Sequence, residues 1–91
     1  MVKIVFSSVL TSITGGEREK KVGAPTVWKA LEKLAEIYGE LFKKRIFDSQ
    51  GRPKRFINFY LNNKDIRFLG GLETRVREDD ELLILPAVSG G

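Results

Sequence analysis

Glu81-Leu82-Leu83-Ile84-Leu85-Pro86, running on into Ala87-Val88-Ser89-Gly90-Gly91, is the stretch that decides the fold. Four aliphatic residues stand in a row between the polar turn Glu78-Asp79-Asp80 and Pro86. A short apolar run bounded by turn chemistry reads as a strand buried in a sheet. Alternation sends Leu82 and Ile84 to one face and Leu83 and Leu85 to the other. The first pair should meet a helix. The second pair needs a cover, because a small antiparallel sheet usually keeps one face polar. Beyond the strand come two residues without side chains, an ending that chance produces in roughly one chain in 200. A carboxylate with no side chain beside it can slide down a narrow channel into another protein's active site. On this reading Gly91 bears the reacting carboxylate and Gly90 keeps the approach clear.

Outward from that strand, Val2, Ile4 and Phe6 share one face of a first strand over residues 2–6. Ser12, Thr14, Gly15 and Gly16 give a turn, and Glu17 to Val22 reads as a charged edge strand. Gly23, Ala24 and Pro25 break the chain. Thr26 then caps a helix whose apolar stripe is Val27, Leu31, Leu34, Ala35 and Tyr38, with Gly39 as its stop. Trp28, at the helix start, reads as a half-buried anchor. Leu41 to Phe47 reads as a short helical turn, and Asp48 to Pro53 as a loop. Arg55 to Leu61 forms a strand with Ile57, Phe59 and Leu61 on one face. The Asn62-Asn63 turn, a short element around Asp65 to Phe68, and the break at Gly70-Gly71 lead back to the acidic turn. The order is hairpin, helix, strand, short pieces, strand. It predicts an α+β domain of β-grasp, or ubiquitin-like, form: a mixed sheet of four to five strands on one main helix, its first and last strands side by side at the centre. The domain should span 1–86, with 87–91 as a flexible tail.

The chain has 91 residues, 42% apolar and 31% charged, which suits one folded domain. It has no cysteine and no histidine, so disulfides and thiolate zinc sites are excluded and no metal site is expected. The commonest general base and the commonest covalent thiol are missing too. No stretch approaches the ~20 apolar residues of a membrane span. Met1-Val2-Lys3 enters a strand pattern directly, with no cleavable site, so the expected setting is cytoplasmic. The net charge is +4, with basic clusters at Lys43-Lys44-Arg45 and at Arg52, Lys54 and Arg55. A solvated face accounts for these clusters. The sharper reading is that they ring the Leu83 and Leu85 patch and steer an acidic partner.

The tail from Leu85 to Gly91, the acidic turn with its strand, the segment from Tyr60 to Thr74 and the helix opening Pro25-Thr26-Val27-Trp28 together resemble the small sulfur-carrier subunit of molybdopterin synthase (MoaD). That family is ubiquitin-like and is similar to the thiamine sulfur carrier (ThiS) and to sulfur-carrying protein modifiers. Three departures stand out. Glu78-Asp79-Asp80 replaces the common Asp-Gly-Asp, Pro86-Ala87 replaces two prolines, and Ser7-Ser8 stands where relatives often carry an aromatic.

The resemblance implies a cycle. An ATP-dependent activating enzyme adenylates Gly91, a sulfur donor converts the acyl-adenylate to a thiocarboxylate, and the large synthase subunit receives the sulfur for a precursor pterin. The chain itself would hold no stable cofactor, and ATP would belong to the activating partner. Leu83, Leu85, Pro86, Val88 and Ser89, with Phe68 or Ile66 nearby, are the expected partner contacts. A cover by the Leu41–Phe47 segment is the alternative for Leu83 and Leu85. The same tail also serves a ubiquitin-like modifier joined through Gly91 to lysines of target proteins, or a thiamine sulfur carrier. Phe47, Phe56, Phe59 and Tyr60 interleave with arginines as in nucleic-acid binders, but core packing and solvated charge explain the same residues. Neither a nucleic-acid nor a membrane partner is expected. A plain interaction module with an incidental Gly-Gly end remains the residual reading.

Overall fold

The structure, a computed structural model, describes residues 1–87. Val88, Ser89, Gly90 and Gly91, assigned above to the tail and its reacting end, lie outside the described residues. Five strands form one sheet: β1 (Val2–Phe6), β2 (Glu19–Val22), β3 (Ile57–Leu61), β4 (Lys64–Asp65) and β5 (Glu81–Pro86). Their order is β2-β1-β5-β3-β4. The last strand is therefore central, parallel to β1 with Val5 beside Leu83, and antiparallel to β3 with Tyr60 beside Leu83. This mixed sheet, backed by helix, is the β-grasp expected from the sequence.

Two helices cover one face: α1 (Val27–Tyr38) and α2 (Glu40–Ile46). Thr26 starts α1 as predicted, its hydroxyl accepting from the Lys29 N–H at 3.2 Å. Gly39, at φ +81°, adopts a backbone conformation that side chains resist, so it both ends α1 and starts α2. The apolar stripe of α1 packs on Val2, Ile4, Phe6, Ile57, Phe59, Leu82 and Ile84, all buried. Aromatic rings tie the helices together, Phe6 to Tyr38 at 5.7 Å, Tyr38 to Phe42 at 5.8 Å and Phe47 to Trp28 at 5.9 Å between centroids.

Two segments differ from the sequence reading. Ser8–Ile13 is a short 3-10 helix rather than the run-up to a turn, and its Leu10 is fully buried. Residues 41–47 do not cover the outer sheet face. They belong to α2, whose Phe42 and Ile46 are fully buried in the core beneath α1. Both corrections follow from burial. Elements too short to show a period still place one or two large apolar residues inward.

The Asn62-Asn63 turn, with φ +49° and +72°, does more than close the β3–β4 hairpin. The Asn62 N–H donates to the Glu81 carbonyl at 2.8 Å, and its side-chain amide donates to Asp80 Oδ1 at 3.0 Å. The Glu81 N–H in turn donates to Asn62 Oδ1 at 3.0 Å, and the Arg77 N–H to Asp80 Oδ2 at 2.8 Å. This latch sets where β5 begins. The Asn62 amide and then the Arg77 N–H hold the Asp80 carboxyl below the usual aspartate range.

Leu10→Ala should cost about 2–5 kcal/mol by emptying a filled core site, whereas Val9→Ala, at a position 49% exposed, should stay within about 0.5 kcal/mol. Chemical denaturation measures both. A depressed carboxyl pKa stabilises the fold fully above the ordinary aspartate value and loses that contribution as pH falls through the depressed one. Asp80→Asn should therefore lower stability at neutral pH and make its fall into acid shallower, which thermal melts across pH will test.

Candidate functional site

The odd positions of β5 face away from the helices. Leu83 and Leu85 are half-buried there, beside half-buried Val5, Tyr60 and Asn58 from the flanking strands. Both helices lie on the other face, so these residues shield one another and no element of the described chain covers them. The strip is charged at its far end. Lys3 Nζ sits 3.7 Å from Glu81 and 3.9 Å from Glu19. Such exposed pairs contribute little to stability, but they confine the apolar part to the half of β5 that runs toward the tail.

At that end the ladder closes on its last rung, where the Ala87 N–H donates to the Phe56 carbonyl. The chain is thus held against β3 through Ala87. Phe56 itself is 59% exposed at the root of the tail. Sequence reasoning raised it only for nucleic-acid stacking, although alternation places it in phase with Asn58 and Tyr60. Tyr60 was raised only for that stacking, and neither it nor Val5 was assigned to the docking face. Their signal was the second face of two strands read for the first face only.

The predicted contacts are placed unevenly. Leu83 and Leu85 lie together on the strip. Pro86 is buried instead, because even positions of β5 turn to the helices. It fixes the chain's exit rather than presenting a surface, and its missing N–H falls just past the bond from the Ser7 N–H to the Ile84 carbonyl, beyond the end of the β1 pairing. Phe68 is 86% exposed, but it stands past β4, two strands from β5 in the sheet order, and Ile66 beside it is buried. Val88, Ser89, Gly90 and Gly91 fall outside the described residues.

The basic clusters do not ring the strip. Lys43, Lys44 and Arg45 are on α2, in the opposite layer, where they line or neighbour a groove of about 720 Å³ walled by Trp28 and Phe47. Arg52, Lys54 and Arg55 flank the start of β3. Among the described residues no three carboxylates gather to hold a metal, and no helix is long and apolar enough to cross a membrane.

The arrangement suits docking and presentation: an uncovered apolar strip leads along one strand to the tail. Known proteins share the sequence and the fold. The sequence model of the ThiS family matches residues 4–91. The sulfur carrier protein CysO of Mycobacterium tuberculosis is 35% identical over 92 residues, covering 99% of this chain and 98% of that protein. A chain in the crystal structure of the Amycolatopsis orientalis BexX/CysO complex superposes with a TM-score of 0.87 at 36% identity, over 100% of both chains. The solution structure of small archaeal modifier protein 1 from Methanosarcina acetivorans gives a TM-score of 0.89 at 32% identity, covering 99% of this chain and 95% of that one.

The face assignment predicts opposite outcomes at adjacent positions. Ile84→Asp, placing an unpaired charge in the core, should abolish cooperative folding. Leu85→Asp should retain the native circular dichroism spectrum with a modest loss of melting temperature.

Proposed function

We propose that this chain, which belongs to the ThiS family of ubiquitin-like sulfur carriers, carries sulfur as a thiocarboxylate on Gly91 and delivers it to an enzyme docked on the outer face of β5. The observation that carries the proposal is the strip itself. Leu83 and Leu85 are uncovered by any element of the described chain, on the strand that leads straight into the tail. The family match running to residue 91 supports placing the reacting carbonyl there.

The chemistry asks little of this chain's side chains. A carboxylate oxygen of Gly91 attacks the α-phosphorus of ATP held by an activating enzyme, and pyrophosphate leaves. Sulfide-level sulfur (hydrosulfide) from a donor then attacks the carbonyl carbon of the acyl-adenylate, AMP leaves, and the thiocarboxylate remains. Both steps need an unhindered approach, since a misplacement of about 1 Å can cost about 100-fold in rate. Gly90 and Gly91 add no side chain to be accommodated. Docking through the strip places the tail without asking the tail alone to supply the binding energy.

For the acceptor, the residues from Leu85 to Gly91 favour the large subunit of a molybdopterin synthase, with a precursor pterin as the sulfur's destination. A second reading has its own support. The likeness to a small archaeal modifier protein favours a chain that also forms an isopeptide between Gly91 and target lysines. Adenylation of Gly91 is common to both.

Incubation with a competent activating enzyme, ATP and a sulfur source should give a mass gain matching one oxygen replaced by sulfur. Its absence would refute the proposal. Deleting Gly91 should abolish that product and leave the melting temperature unchanged. Leu85→Asp should raise the KM for the acceptor enzyme while the thiocarboxylate still forms. Supplying the large synthase subunit with precursor pterin, or a lysine-bearing target protein, separates the two destinations.

A further inference from the structure

β4 is two residues long and meets β3 only at Tyr60 and Leu61. The consequence falls on the first half of β3. Backbone groups alternate along an antiparallel strand, and the bonds from Ala87 to Phe56 and from Asn62 to Glu81 set the phase. Asn58 and Tyr60 face β5, so Ile57 and Phe59 turn their N–H and C=O groups outward. The Ile57 N–H is taken by the Lys54 carbonyl at 3.1 Å. Among the described residues, β4 ends at Asp65, the Tyr60–Asp65 pairing engages the Phe59 carbonyl, and no strand pairs beside the Ile57 carbonyl or the Phe59 N–H.

This open edge lines a cleft of about 630 Å³, with Trp28, Ile66 and Leu72 as apolar walls. Its rim carries Arg52, Lys54, Arg55 and Arg67 against Asp65 and Glu73. Asp65 is already engaged, 2.6 Å from the Arg67 guanidinium. The imbalance belongs to the whole molecule. Residues 40–55 hold six basic and two acidic side chains, a net of +4, while the other ten basic and ten acidic residues cancel. All of the net charge therefore sits in α2 and the loop beside this edge.

Proteins usually blunt a bare edge by charge or cover. Here the charge surrounds the edge and leaves the cleft open. A second copy of the chain would bring the same positive rim and be repelled. A single-stranded nucleic acid would satisfy the arginines but offer no matching ladder of amide N–H and C=O groups. A segment of opposite charge with its own free backbone satisfies both.

We propose that this edge docks an extended acidic segment of a partner protein, which adds as a strand beside Ile57–Phe59 and sets an apolar side chain between Trp28 and Leu72. The site is separate from the β5 strip and stands without the sulfur-carrier reading.

Isotope-labelled full chain should be titrated with an acetylated hexapeptide alternating Glu and Val, with the same peptide N-methylated at alternate residues, and with an oligothymidine. The first peptide should shift amides 57–59 and the Trp28 indole and slow exchange of the Phe59 N–H. N-methylation, or the double change Arg52→Glu and Arg55→Glu, should weaken binding by about tenfold or more. The N-methylated arm leaves the chain unaltered and so holds even if the double variant misfolds. Equal binding of both peptides, shifts on Val5, Leu83 and Leu85 instead, binding of the oligothymidine alone, or no response at millimolar peptide would overturn the proposal.

Discussion

β5 is held from both sides, and the rest of the molecule is arranged around that constraint. β1 bonds to its even positions and β3 to its odd positions, so the strand cannot slip by one residue without breaking two ladders. With the register fixed, Leu82 and Ile84 must point into the helical layer and Leu83 and Leu85 must point out of it. The core and the exposed strip are thus one decision, taken twice along the same six residues. The latch at Asn62 and Asp80 acts on the same quantity, fixing the residue at which β5 enters the sheet.

Legibility in the sequence followed how much periodicity each element had. The run at 82–85 exposed both faces, because period two is unambiguous once a strand is granted. α1 was equally plain, with a cap, a stripe and a glycine stop. The Asn62-Asn63 turn and the acidic turn were read separately, as turns, and the geometry joins them: Asn62 bonds Asp80 and Glu81. What stayed hidden had fewer than two turns of pattern. Leu10 sits in a 3-10 helix of six residues, and α2 offers Phe42 and Ile46 within seven. A single spacing of four does not say which layer an element joins, so the charges of α2 were set on the wrong side of the sheet.

The candidate site was legible in its centre and not at its margins. Leu83 and Leu85 followed from alternation. Pro86 followed the same rule to the opposite face. Phe68 was placed by the family resemblance, and it stands past β4, two strands from β5. Phe56 and Tyr60 required knowing which strand lies beside β5, and that is a tertiary fact. The two layers also divide labour by charge. The outer face carries balanced pairs around an apolar strip, while the excess positive charge sits on the helix side and around β3. A partner approaching the strip meets balanced pairs, and one approaching the β3 edge meets a rim on which basic side chains outnumber acidic ones.

The rung between Ala87 and Phe56 also acts as a ruler. On the proposed function, the stretch from Val88 to a reacting Gly91 would reach roughly 14 Å, at no more than about 3.6 Å per residue. Any enzyme that reacts with the last carbonyl while gripping the sheet must therefore keep its reaction centre within that radius of its own gripping surface. A deeper catalytic well would lie out of range unless the rung broke. On that function, the distance from this hydrogen bond to Gly91 would screen clients by the depth of their pockets, before any side-chain recognition begins.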